Sequence, residues 1–309
     1  MTLPAVLVEA FAERPCCGNG ATVVLLCEPL EAAVLQGLAA SLKQSETAFL
    51  LRSGEHWLLR WFTPSCEVNL CGHATLAATL ALGHWGLLEP GSRLALHSRS
   101  GPLAVELEAA HQGAARIELP AGRLQPVAPE PELLAYLHRH LGVAPEGCWH
   151  SPLNYRVVLL PAAASLAAAA LPASELPEPV RPGLVLMQAL PEGTTATVLG
   201  RSCRYQLRFL APGLGIPEDP VTGSAHALVA PWWLQQLGLR EVAGWQCSHR
   251  PGGMVCTEAS SGMIRLCGAG HLLWDGSLRL DPWSGAERPS DVCAPERPAS
   301  GFGWESLLP

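Results

Sequence analysis

Four side chains of this 309-residue chain stand where acid–base chemistry needs them. Glu46 directly precedes the apolar run TAFLL, and His73 opens an Ala/Leu-rich helix in CGHATLAATLALG. Asp219 sits in the turn PEDPVTGS, and Ser224 opens a second apolar helix just after it. An acid and an imidazole in one cleft can take a proton from carbon and return it. A helix start offers free N–H groups and a partial positive charge, which can seat a substrate carboxylate and stabilise developing negative charge. Burial is expected to tune the Glu46 pKa toward the working pH. Such proton-shift chemistry needs neither metal nor cofactor.

Each position also has a plainer role. Glu46 could be a surface carboxylate. Asp219-Pro220 could be only a turn former. His73 and Ser224 could be helix N-caps; Ser is a favoured cap and His a poor one, so His73 is the more informative.

The elements that must position these groups are written twice. Arg60–Gly83 reads RWFTPSCEVNLCGHATLAATLALG, and Arg208–Gly238 reads RFLAPGLGIPEDPVTGSAHALVAPWWLQQLG. Both run Arg, aromatic, apolar, small, Pro, an acidic turn, then Gly-[His/Ser]-Ala and an apolar helix. They lie about half the chain apart, which marks an internal duplication. Two lobes follow, with a cleft between them and one anion-binding helix start from each.

Around these units, residues 3–10, 21–27 and 55–62 read as strands. Pro29–Lys43 reads as a helix, with apolar residues at Leu30, Val34, Leu38 and Leu42. A hairpin turns at Ser100-Gly101-Pro102, and a strand over 115–120 ends a first lobe of residues 1–119. The second lobe, 120–280, opens with a Pro-rich linker and a helix near 130–141. Strands at 155–160 and 184–189 flank a short helix in SLAAAALP, and further strands follow from 195. The tail, 281–309, reads as irregular. Mixed strands and helices with many hairpins indicate an α+β fold with mostly antiparallel sheet.

Hydrophobic residues make up 49% and charged ones 15%, as in a globular chain. The net charge of −7 with no basic run argues against nucleic-acid binding. No apolar run is long enough for a membrane span, and acids and Arg come too early for a signal peptide, so a cytoplasmic protein is expected. The 11 cysteines form no CxxC pair, read as buried small hydrophobes, and with no HExxH give no metal site. His138 and His140 read as a solvated helix face. Nucleotide-binding glycine patterns are absent. Lys43 is the only lysine, a poor prospect for pyridoxal phosphate. No cofactor is expected.

At EAFAERPCCGNGATVVLL, SETAFL, RWFTPSCEVNLCGHATLAA, GIPEDPVTGSAHALVAPWW and QCSHRPGG the chain resembles the PhzF family of phenazine-biosynthesis-like isomerases. It is most similar to the branch of animal phenazine-biosynthesis-like domain proteins. The resemblance implies a diaminopimelate-epimerase-like fold: two pseudo-symmetric lobes, each a curled sheet around a central helix, with the site between them. It implies a cofactor-independent isomerase and a homodimer. It places the catalytic Glu on Glu46, with His73, Asp219 and Ser224 orienting a small carboxylate-bearing substrate and assisting proton movement. Gly72, Gly223 and Asn19 would bind that substrate. Two departures stand out. The family's opening GNP is Gly18-Asn19-Gly20 here. Cys16-Cys17-Gly18-Asn19-Gly20 copies the epimerase Cys-Gly-Asn-Gly motif at the wrong place, whereas Cys71 stands where an epimerase thiol would. Its partner position in Val221-Thr222-Gly223 has no thiol, which weighs against a racemase or epimerase. A scaffold protein that kept the fold has no use for Glu46, His73, Asp219 and Ser224 together.

Overall fold

Runs rich in Val, Leu and aromatic residues alternate with Gly- and Pro-marked turns, and the strands they form curl around two Ala/Leu-rich helices. The computed structural model describes residues 1–260, 262–280 and 303–308. Its first half contains β1 (Thr2–Ala10), β2 (Asn19–Leu26), α1 (Ala32–Leu42), β3 (Glu46–Ser53), β4 (His56–Phe62), β5 (Glu67–Val68), α2 (Gly72–His84), β6 (Arg93–Ser98), β7 (Gly101–Leu107) and β8 (Ala114–Pro120). The second half contains β9 (Gln125–Pro126), α3 (Pro131–Leu141), β10 (Gly147–His150), β11 (Arg156–Leu159), β12 (Leu184–Ala189), β13 (Thr197–Val198), β14 (Arg201–Ala211), β15 (Ile216–Asp219), α4 (Gly223–Leu237), β16 (Glu241–Gln246), β17 (Gly252–Glu258) and β18 (Met263–Arg279).

The duplication read from two helices extends through the pairing of the strands. In the first lobe β1–β2 is antiparallel, β2–β3 parallel, β3–β4 antiparallel, β4–β6 parallel, and β6–β7 and β7–β8 antiparallel. In the second, β10–β11, β11–β12, β12–β14, β14–β16, β16–β17 and β17–β18 repeat the same sequence of senses. The short β5 on β4 is mirrored by β15 on β14. Even the strand-to-strand ion pair repeats. Arg60 holds Glu67 through two bonds of 2.7 and 2.9 Å, and Arg208 holds Glu218 through two of 2.6 and 2.7 Å. The fold is α+β, with two lobes each wrapped around a helix, as expected.

The lobes trade their last strands. β8 and the first part of β18 pair with each other, and β18 then runs on along β1 from Gly270 to Arg279. This closes the first lobe as the ring β1-β2-β3-β4-β6-β7-β8-β18. In the second lobe β9, the continuation of β8, pairs with β10. Residues 270–279, within the span read as second lobe, therefore hydrogen-bond into the first.

α2 is buried on all faces through its first turns, and α4 nearly so. Small Ala and Gly side chains let the sheets close on them, and their apolar residues join one core that spans both lobes. Two helices differ from the sequence reading. α1 starts at Ala32 and not at Pro29, and ends on Lys43 in a left-handed conformation. SLAAAALP forms only a 3-10 turn, Leu166–Ala168. It lies between Pro161 and Pro172. The tail reading falls mostly outside the described residues. Within them, Trp304 and Leu307 pack on the first lobe, and the Trp304 indole N–H donates to the Leu30 carbonyl at 3.1 Å. No helix among the described residues is long and apolar enough to cross a membrane.

Candidate active site

The starts of α2 and α4 meet head to head. A Cβ built on Gly72 or on Gly223 would lie 3.3 Å from the other's Cα, so glycine permits the contact. The caps are Cys71 and Thr222, both extended and neither with a side-chain cap bond. His73 and Ser224 are thus not caps. Each sits one residue inside its helix, and the unpaired N–H groups of both first turns converge on one place.

The first lobe supplies a cluster of polar side chains around His73. β3 lies parallel to β2 with Glu46 opposite Ala21, which brings Ser45 and Glu46 beside Asn19. Glu46 Oε2 lies 3.1 Å from His73 Nε2. Ser45 Oγ lies 3.1 Å from the same nitrogen and donates to Asn19 Oδ1 at 3.0 Å. Cys71 Sγ lies 3.4 Å from His73 Nδ1.

Asn19 joins the lobes. Its amide donates to Asp219 Oδ1 at 2.7 Å and to the Val221 carbonyl at 3.1 Å. The Thr222 hydroxyl donates to the other carboxylate oxygen of Asp219. Gln246 locks the turn by donating to the Asp219 carbonyl at 2.7 Å and accepting the Thr222 N–H at 2.8 Å.

Register shows what each lobe kept. Gly183, just before β12, occupies the place of Glu46 in β3, and Val68 in β5 the place of Asp219 in β15. Cys71 and His73 correspond to Thr222 and Ser224. The backbone is two-fold, but the chemistry is one-sided.

Ser224 stands apart from the His73 cluster and hydrogen-bonds Tyr155 instead. The Tyr155 ring packs on Phe209 at 4.7 Å. It fills the space beside Gly183, where a Cβ would lie 2.6 Å from the ring. Sequence reasoning placed Tyr155 in a plain strand and missed it, along with Ser45, Gln246 and the Cys71 contact. The only signal was position, since each lies next to a residue already singled out or at a strand end facing one.

Burial opposes charge on His73, yet Cys71 and Glu46 beside it hold its pKa well above the usual imidazole range. Burial likewise opposes charge on Glu46, but the His73 cation and hydrogen bonds from Ser45 and Cys71 hold its carboxyl below the usual range. The expected upward tuning of Glu46 is therefore corrected: a close opposite charge outweighs desolvation. It is Asp219 that moves up, pushed to about 6 by burial against the pull of His73. Burial also raises Tyr155 and the Cys71 thiol.

Donor atoms of Glu46, Cys71 and His73 all lie within 4.8 Å of one another. Carboxylate, thiolate and imidazole are metal-ligand types, and here the three also contact one another directly.

The profile of the family described as phenazine biosynthesis-like protein matches residues 8–261. A Pseudomonas aeruginosa protein named an uncharacterized isomerase is 37% identical over 274 residues, covering 88% of this chain and 97% of that one. The human phenazine biosynthesis-like domain-containing protein is 30% identical over 298 residues, covering 90% and 99%. The crystal structure of a PhzF-family protein from Enterococcus faecalis superposes with a TM-score of 0.78 at 29% identity, covering 91% and 100%. A probable proline racemase from Agrobacterium radiobacter shares the fold, with a TM-score of 0.56 at 12% identity, covering 91% and 94%. The fold is the diaminopimelate-epimerase-like one.

Proposed function

The chain belongs to the phenazine biosynthesis-like protein family, and on that premise we propose that it is an isomerase moving a proton within a small carboxylate-bearing substrate. The observation that carries this reading is the one-sidedness of the site. One lobe holds Glu46 against His73, and the other presents Asp219 through Asn19. The substrate carboxylate lies at the paired helix starts by Gly72 and Gly223. Its approach to the His73 imidazolium competes with Glu46 for that charge and lifts Glu46 toward the working range. Glu46 then takes a proton from carbon. The electron pair moves into the carboxylate, where the helix N–H groups and His73 hold the developing charge. The protonated Glu46 returns its proton at another carbon of the same skeleton, and the double bond moves. Nothing is oxidised or reduced. Asp219, poised near neutrality, and Ser224, bonded to Tyr155, orient the substrate from the second lobe.

Epimerisation by two bases needs groups on opposite faces of one carbon. Cys71 and Glu46 both come from the first lobe, and the place opposite Cys71 is Thr222, so support for that reading is weaker.

The test is carbon-bound deuterium, read by NMR after incubating wild type and Glu46→Gln in deuterated water with unsaturated cyclic and branched acids, proline and diaminopimelate. Deuterium in a rearranged product that vanishes in Glu46→Gln supports the isomerase. Deuterium at an unrearranged α-carbon that survives the substitution sinks the Glu46 mechanism.

A further inference from the structure

A cavity of about 310 Å³ opens beside the helix junction. Leu70, Leu119, Leu153 and Leu228 line it with hydrocarbon. Among the described residues, Ser224 is its one wall residue from the site, and Arg123 its one charged wall residue. Leu119 also touches the junction itself, with a methyl 3.2 Å from where a Gly72 Cβ would be. The cavity therefore begins where the substrate carboxylate would be held.

The chain builds this wall deliberately. Pro231 lies inside α4 and has no N–H, so the Ala227 carbonyl loses its helical donor. Gly122 supplies the replacement, its N–H donating to that carbonyl at 3.1 Å. A Cβ on Gly122 would lie 2.5 Å from Leu228 Cα, so only glycine can come this close. Ala121 is held from the other side through a 2.8 Å bond from its N–H to the Gly262 carbonyl. The connector carrying Arg123 is thus pinned at two places in the second lobe, on α4 and on the turn before β18, and the cavity is formed before any ligand arrives. The Arg123 side chain is exposed and has no ion pair among the described residues.

The geometry points to this cavity as the seat of the substrate's carbon body, with Arg123 pairing a second acidic group. The substrate class is then a small apolar acid, ring-sized or branched, that carries a second anionic group. This rests on the reading of the helix junction as the carboxylate seat of an isomerase. The size is at the low end for ligand pockets, which start at roughly 300 Å³. Proline would leave the cavity empty. Diaminopimelate could offer its distal carboxylate to Arg123, but its distal ammonium would enter apolar walls, which costs desolvation.

The experiment is calorimetric titration of the full chain with benzoate, isophthalate and terephthalate, none of which can isomerise. At least one diacid is expected to bind about tenfold tighter than benzoate, the scale of one charge-assisted pair. Arg123→Gln should erase that advantage and leave benzoate affinity unchanged. Leu153→Trp fills the cavity from its exposed rim and should weaken all three acids while the melting temperature holds. The proposal is overturned by a diacid with no advantage, an advantage that survives Arg123→Gln, unchanged affinity in Leu153→Trp, or no binding of any acid by folded protein. In Glu46→Gln the ratio of diacid to benzoate affinity should persist, because that ratio reads Arg123 and not the His73 charge. If deuterium exchange survives Glu46→Gln while the diacid preference still needs Arg123, the isomerase reading falls and the pocket stands. If exchange needs Glu46 but Arg123 is irrelevant, the pocket assignment falls alone.

Discussion

Asp219→Asn should make this protein more stable at neutral pH. Asp219 is only 8% exposed, and burial pushes its pKa from an ordinary 3.8 to about 6. At about 1.36 kcal/mol per pKa unit, that shift is worth about 3 kcal/mol. The sign follows from which state releases its proton first. Below the ordinary aspartate value both states are protonated, and the neutral carboxyl costs the fold nothing extra. Between there and about 6 the unfolded chain has released its proton while the native state still holds it, so stability falls as pH rises. Asn is the same size and stays neutral. Its Oδ1 can still accept from Asn19, and its amide can face the Thr222 hydroxyl. Urea unfolding of both proteins across about pH 4 to 8 should show a small difference at the acid end that grows to about 3 kcal/mol in favour of the mutant. A difference that stays constant with pH would refute the raised Asp219 pKa. A mutant that gains stability but loses turnover would show that the buried charge is kept for chemistry.

His73 should remain an imidazolium at neutral pH in wild type, read from its ring nitrogen shifts, and its pKa should drop in Glu46→Gln. The stability this charge lends is present below the ordinary histidine value and is lost as pH rises through the folded one; a neutral ring near pH 7 refutes it. Tyr155→Phe keeps the ring against Phe209 but removes the hydroxyl that bonds Ser224. Turnover should fall about 10²–10³-fold if that hydroxyl steadies negative charge in the transition state, with a stability loss of only about 1 kcal/mol. An unchanged rate would place Tyr155 in packing alone. Gly223→Ala puts a methyl 3.3 Å from Gly72 Cα and should cost about 1–3 kcal/mol by parting the two helix starts, seen in thermal unfolding and in weaker benzoate binding. Full affinity would mean that the carboxylate does not sit there.

Sequence alone determined the parts that are local. Strand runs, Gly and Pro turns and Ala/Leu helices follow from the order of side chains, and a duplicated RWFTP/RFLAP unit predicts duplicated geometry. For that reason two lobes and two buried helix starts were legible without coordinates, while the roles of Glu46, His73, Asp219 and Ser224 were expected from the family resemblance. SLAAAALP misled because Ala/Leu composition favours a helix, whereas the segment forms only a 3-10 turn. What only the tertiary structure decided depends on distance through space. Asn19 reaches Asp219 across both lobes, Tyr155 turns into the site because Gly183 makes room, and β18 crosses back to β1. The direction of the Glu46 shift belongs here too. Burial and an opposite charge push a carboxyl in opposing directions, and no residue order states that His73 stands 3.1 Å away.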